Sequence, residues 1–294
     1  MSTGSVQNIT ILGTGLIGAS LGLALRAQGF SGTLTGWDKN ADEAATALRL
    51  GAINRTTDNP LAAAQSSEII VLATPVLAIL DWMEKLAPTL HAGQLLTDVG
   101  STKHRICERA SGLFASPSRA EFLAGHPMAG KEVFGAAHAD AQLFQGAVWL
   151  FATLSGTEDT QPSPLQLAWR AWVQKIGCRI VDVDSIRHDE LCAWASHLPQ
   201  MVSTALAALL EDTFGTTPEH RTELRDVGGR AMREMTRLGA SPYSMWRDVA
   251  QTNTEALSAS LLALEQRLTH IRENLKQPEL RAEFDRANQF RKNF

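Results

Sequence analysis

The run Gly13-Thr14-Gly15-Leu16-Ile17-Gly18 constrains this chain more than any other feature. It matches G-x-G-x-x-G, a weak pattern alone and a stronger one between a strand and a helix. Residues 9–12 (Ile-Thr-Ile-Leu) read as a buried strand, and 16–28, rich in Leu and Ala, as a helix stopped by Gly29. In that setting each glycine has a task. Gly13 permits the tight turn, Gly15 lets a pyrophosphate approach the backbone, and Gly18 lets the helix pack closely on the strand. Leu16 and Ile17 then open a helix whose free N–H groups and partial positive charge face the phosphates. A second strand over 34–37 ends at Asp38, 20 residues beyond Gly18. A carboxylate there accepts hydrogen bonds from the adenosine ribose hydroxyls and repels a 2′-phosphate, which favours NAD over NADP. Lys39 argues mildly the other way. The bland alternative is a glycine-rich turn beside a surface aspartate.

The remaining texture divides the chain in two. Strand-like runs at 68–73, 95–99, 122–125, 148–152 and 179–183 alternate with helical segments at 41–50, 76–86 and 165–176. That alternation predicts a Rossmann-type α/β domain with a doubly wound, mostly parallel sheet. Residues 153–164, with Glu158 and Asp159, read as a loop. Beyond Asp184 the strand-like runs stop, and Ala/Leu/Arg/Glu segments at 186–214, 218–238 and 244–275 predict an all-α domain. The expected domains are therefore 1–183, binding NAD, and 184–294, binding substrate.

Charge narrows the partners. The chain has 27 basic and 31 acidic residues. The first domain holds 13 and 15 of these and the second 14 and 16, so each carries −2 and neither offers a basic face to nucleic acid. Residues 1–25 lack charged side chains, but Gly13, Gly15, Gly18 and Gly22 interrupt them, and no basic residue precedes them, so neither a membrane span nor a signal peptide is expected. Three cysteines without a C-x-x-C fit a reducing cytoplasm and no metal site.

Later segments carry a resemblance. Asp98-Val99-Gly100-Ser101-Thr102-Lys103 and Gly125-His126-Pro127-Met128-Ala129-Gly130 each follow a strand end. His188-Asp189 and Ser196-His197-Leu198-Pro199-Gln200 open the helical part, and Thr236-Arg237, Ser241-Pro242 and Met245-Trp246-Arg247-Asp248 follow. With the glycine motif, these resemble the prephenate/arogenate dehydrogenases of tyrosine biosynthesis, from about residue 9 to 250. The resemblance implies NAD-dependent oxidative decarboxylation of prephenate to 4-hydroxyphenylpyruvate, with arogenate as the alternative substrate. It implies His126 as the base that takes the substrate hydroxyl proton, a role suited to neutral imidazole. Ser101 is implied to orient the pair, with a helix N-cap near Thr102 as its plainer reading. Arg237 is implied to grip a substrate carboxylate, which a planar guanidinium does bidentately. Arg233 stands where the family has another basic residue. Arg230, Arg233 and Arg237 can share one helix face, solvated or substrate-facing. His197 is a candidate wall of the pocket.

Gln200 stands where a second histidine is frequent, and still offers an amide. Lys131 replaces a small hydroxyl residue associated with tyrosine inhibition. Glu132 beside it could hold an amino group, which would suit arogenate. Thr74-Pro75 is expected to border the nicotinamide ribose or to start a helix. The resemblance implies a homodimer through the helical domain, and leaves no room after Phe294 for a regulatory domain or a fused mutase. Two rival readings stand beside it. A β-hydroxyacid dehydrogenase needs a lysine in its helical domain, and 184–250 has none. An NAD-binding sensor would bind the cofactor without turnover.

Overall fold

The computed structural model describes residues 6–153 and 161–293. Most of the expected 153–164 loop, with Glu158 and Asp159, lies outside them. Eight strands form one sheet in the order β3-β2-β1-β4-β5-β6-β7-β8. They are β1 (Asn8–Leu12), β2 (Thr33–Trp37), β3 (Arg55–Thr56), β4 (Ile69–Leu72), β5 (Leu95–Asp98), β6 (Glu121–Pro127), β7 (Val148–Thr153) and β8 (Arg179–Asp184). Every pairing is parallel except β6 with β7. The connecting helices are α1 (Leu16–Ala27), α2 (Ala41–Arg49), α3 (Pro60–Gln65), α4 (Val76–Leu86), α5 (His104–Leu113) and α6 (Pro164–Lys175).

The sheet is buried on both faces, and the two-residue period of a strand divides the core. Ile9 and Ile11 of β1 and Ile69 and Val71 of β4 join one apolar cluster with Leu21, Leu25 and Trp169. Leu12, Ile70 and Leu72 point the other way, onto Ile79, Met83 and Ile106. This is why the strands read as apolar runs rather than alternating ones. Strand order reverses between β1 and β4, the switch point where ligands of such sheets bind, and the glycine motif lies there.

Every described element after β8 is helical: α7 (Ser185–Cys192), a π-helical turn (Ala193–His197), α8 (Leu198–Phe214), α9 (Pro218–Val227), α10 (Arg230–Thr236), a 3-10 turn (Arg237–Ala240), α11 (Tyr243–Thr252), α12 (Thr254–Glu273) and α13 (Glu279–Asn293). The three long helices expected here are broken. Gly228-Gly229 separates α9 from α10, Asn253 separates α11 from α12, and the π-turn splits the first segment. Among the described residues no helix is long and apolar enough to cross a membrane.

Candidate active site

The glycine motif builds an open cradle. Gly13 has φ +97°, and a Cβ there would strike the Ala73 carbonyl. A Cβ on Gly18 would overlap the Gly13 carbonyl oxygen, so α1 sits against β1 only because that atom is missing. A Cβ on Gly15 would meet nothing within 4 Å. The space before Gly15 is free, and α1 begins at Leu16 and Ile17 with no side-chain cap and no acidic residue in its first turn. This terminus suits an anion. Asp38 accepts hydrogen bonds from the Thr14 N–H (2.7 Å) and the Asn40 N–H (2.9 Å), so it braces the loop. Its carboxylate retains lone pairs for further donors. Pro75 is itself the N-cap of α4, and the Thr74 hydroxyl is buried without a partner. The arrangement with Thr74 as cap and proline as first helical residue does not form.

Asp98 ends β5 and gathers three donors: the Gly100 N–H (2.8 Å), the Gly125 N–H (3.1 Å) and the Lys103 ammonium, a pair with no solvent exposure. These bonds tie β5 to β6 one residue before His126. A Cβ on Gly125 would meet the Asp98 carbonyl and the Trp149 indole, so glycine is required there.

His126 lies in β6 with 7% of its surface exposed. Its Nδ1 is 2.9 Å from His188 Nε2, and His188 Nδ1 is 2.8 Å from Asp189 Oδ1. The Asp189 carboxylate accepts the N–H groups of Lys103 (2.7 Å) and His104 (3.0 Å). Helix α5 therefore starts at His104, and its cap comes from α7 rather than from Ser101. Ser101 is not the N-cap that its neighbourhood to Thr102 suggested. Asn253 Nδ2 donates to the Asp189 carbonyl (2.8 Å) and lies 3.2 Å from His197 Nδ1. The Trp246 ring meets His197 edge-on at 5.9 Å. His197 Nε2 is buried without a hydrogen-bond partner.

Burial keeps these rings neutral. It pushes His126 well below 6.5, and the neighbouring His188, Lys103 and His197 push the same way. His188 is lowered by burial against the opposing pull of Asp189. His197 is pushed down to about 4, mainly by burial, against the opposing pull of Asp189 and the nearby Ser101 main chain. A neutral His126 with its Nδ1 engaged offers Nε2, which makes no hydrogen bond among the described residues, as a proton acceptor.

The other expected residues fall into two sets. Arg237 forms an ion pair with Glu132, joining the 3-10 turn after α10 to the loop after His126. Glu132 is thus already engaged by a guanidinium. Gln200 is 3% exposed and donates to the Leu238 carbonyl (2.7 Å) and Thr204 (3.1 Å), so its amide braces the Arg237 segment. Arg233 is exposed and forms no ion pair among the described residues, and Arg230 pairs with Glu234. The three arginines do not form one helical row, because Arg237 lies beyond the end of α10.

The sequence reading gave no role to His188, Asp189, Lys103 or Asn253. The adjacent titratable pair His188-Asp189 was the available signal. His126, His188 and Cys192 also bring possible metal-binding atoms within 4.8 Å of one another. Their geometry fits hydrogen bonding better. The ring nitrogens are 2.9 Å apart, against about 3.3 Å for two nitrogens on one tetrahedral zinc. Burial also pushes the Cys192 thiol up to about 12, away from the thiolate a metal requires.

Comparison with known proteins places this geometry. Residues 21–182 match the family described as "Prephenate dehydrogenase, nucleotide-binding domain", and 184–288 match "Prephenate dehydrogenase, dimerization domain". A prephenate dehydrogenase of Bacillus subtilis (strain 168) is 30% identical over 255 residues, covering 85% of this chain. The chain spans 65% of that relative's length. Two solved structures align over 98% of the chain. One is a prephenate dehydrogenase from A. aeolicus in complex with hydroxyphenyl propionate and NAD+ (TM-score 0.85, 28% identity, 98% of that chain). The other is an arogenate dehydrogenase from Synechocystis (TM-score 0.75, 30% identity, 99% of that chain).

Proposed function

The chain belongs to the prephenate dehydrogenase family, and on that premise we propose that it catalyses the NAD-dependent oxidative decarboxylation of prephenate to 4-hydroxyphenylpyruvate. The observation that carries the reading is His126: buried, neutral, anchored through Nδ1 and open at Nε2, at the end of β6. The cradle at Gly13, Gly15 and Gly18, the start of α1 and Asp38 fit the pyrophosphate and adenosine ribose of NAD. Residues 1–183 form its NAD-binding domain, and 184–294 its substrate and dimerisation domain.

NAD supplies the acceptor for the hydride that leaves the carbinol carbon. His126 Nε2 takes the hydroxyl proton as that hydride departs, and general-base assistance of this kind is worth about 10² to 10⁴ in rate. The ring carboxylate leaves as CO2, its bonding pair completes the aromatic ring, and the carbonyl pair returns to oxygen, which takes a proton back to give the phenol. His197 holds its hydrogen on Nε2, because Nδ1 accepts from Asn253. That buried donor suits an oxygen acceptor of the substrate, carboxylate or ketone. Arg237 supplies the cation for a carboxylate. Its present partner, Glu132, must yield to the substrate or hold the guanidinium in place. With Glu132 so engaged, prephenate is favoured over arogenate, whose amino group would need a free carboxylate.

The helical part supports a homodimer. Helices α9, α10 and α13 bury no residue, and Leu209, Leu262, Leu268 and Met235 are each more than half exposed. A second copy would cover such a surface. The three buried free cysteines suit a cytoplasmic enzyme.

The test mixes protein and NAD with prephenate, with arogenate or with neither, and follows the absorbance of reduced cofactor; an NADP arm tests Asp38. Turnover is expected with prephenate and NAD, and His126→Asn should lower kcat at least about 100-fold. NAD binding without turnover of either substrate would leave a sensor and end the proposal.

A further inference from the structure

We propose that His188, held by Asp189, is a positioning residue that fixes the tautomer of His126 and shares the charge His126 acquires. This rests on the reading of His126 as the base. It extends that reading to a pair contributed by the helical part of the chain.

The order of donors and acceptors runs from a fixed end. The main-chain N–H groups of Lys103 and His104 can only donate, and both point at the Asp189 carboxylate. A carboxylate in that position accepts. Asp189 Oδ1, 2.8 Å from His188 Nδ1, therefore obliges that nitrogen to carry its hydrogen. A neutral His188 then has its lone pair on Nε2. That lone pair lies 2.9 Å from His126 Nδ1, which must supply the hydrogen of the bond. The bare nitrogen of His126 is left as Nε2, and the alternative tautomer would bring two lone pairs together at 2.9 Å.

The same chain supports the proton once it arrives. His126 gains it on Nε2 while its Nδ1 hydrogen stays in place, so no second proton transfer is needed. The bond to His188 becomes charge-assisted, and Asp189 stands one ring further on to balance the charge. The N-terminal N–H groups of α5 fix the Asp189 carboxylate in place for this role. Both partners are enclosed: His188 has no solvent exposure and Asp189 has 4%. The remaining groups facing His126 and His188 are Lys103, Asp98, His197 and Cys192. Cys192 lies 3.6 Å from His188 Nε2 and stays a thiol. It cannot replace Asp189 in this role.

The experiment has two readouts. Long-range 15N NMR of the histidine rings in the wild-type protein should show the hydrogen of His126 and of His188 on Nδ1. A hydrogen on Nε2 of His126 overturns the proposal, whether or not the protein turns over substrate. In kinetics, His188→Phe fills the space without the polar atoms and should lower kcat about 100-fold, with KM for prephenate changed less than threefold. His188→Gln places an amide oxygen near the lost Nε2 and should recover about tenfold of that loss. Folding of each variant is checked by its melting temperature and by quenching of tryptophan fluorescence with NAD. A folded His188→Phe enzyme with kcat within threefold of wild type refutes the role. Absence of wild-type turnover with both substrates would instead refute the proposed function, and the NMR result would still decide the tautomer.

Discussion

The ring of His197 ties the stability of this protein to acid, and His197→Asn isolates that link. Burial depresses the ring from 6.5 to about 4, with Asp189 opposing and His188 assisting. The sign follows from which state binds the proton. Below pH 6.5 the unfolded chain takes one up, and the folded chain declines it until about pH 4. The unfolded state therefore binds more protons in this window, and stability falls as pH drops through it. At about 1.4 kcal/mol per pH interval, the loss is about 3 kcal/mol by pH 4 and about 2 kcal/mol at pH 5. Asparagine is the informative replacement, because its Oδ1 can occupy the place of Nδ1 and keep the bond from Asn253. Urea unfolding of both proteins at pH 7.5 and pH 5.0 is the assay. Wild type should lose about 2 kcal/mol more than the variant between the two conditions. His126 and His188 titrate in both proteins and cancel from the comparison to first order. Equal losses, within about 0.5 kcal/mol, would refute the claim that His197 is held neutral by the fold.

Lys103→Met should destabilise the protein by about 3 kcal/mol in urea, because it strands the Asp98 carboxylate with only the Gly100 and Gly125 N–H groups. Adding Asp98→Asn should recover most of that loss, and additive losses in the double variant would contradict the pairing argument. The two glycines of the cradle should part company. Gly15→Val should leave the melting temperature within about 2 °C, since its side chain enters open space, yet weaken NAD more than tenfold in a fluorescence titration. Gly18→Ala should instead yield little folded protein, because the new Cβ collides with the Gly13 carbonyl.

Much of the fold was legible because its signals are local. Helix α4 covers Val76–Leu86 as expected, where Pro75 and the apolar spacing mark it. The strands showed as apolar runs because both faces of the sheet are covered. Helix α5 was missed apart from its neighbourhood to Thr102, and the reason is physical. Its cap is Asp189, 85 positions away from His104, so no local capping signal exists to read. The break at Gly228-Gly229 was visible in the sequence, but the apolar period on either side masked it. The site divides the same way. His126, His197, Arg237 and Glu132 stand in short distinctive segments. The bond between His126 and His188 spans 62 positions and follows from tertiary packing alone. Gln200 was read as a ligand group because its neighbours resemble a binding segment, and its amide is spent on the Leu238 carbonyl.

Hydrogen-bond capacity separates the ring proposed as the base from its neighbours. Asp98 already accepts from Gly100, Gly125 and Lys103, and Asp189 from Lys103, His104 and His188. Each carboxylate is held by three donors, and a proton taken onto it would weaken the charge-assisted bonds that hold it in a buried place. His197 uses its only lone pair on Asn253 and is left with a hydrogen to give. His126 uses its hydrogen on His188 and is left with a lone pair. The two rings therefore have opposite polarity, one accepting and one donating, and neither carries charge at neutral pH. The proposed substrate, with a hydroxyl at one end and an anionic oxygen at the other, would satisfy both in one orientation. Reversed, it would set a hydroxyl against a donor and an anion against a lone pair, and the buried mismatch at His126 would cost about 1–3 kcal/mol.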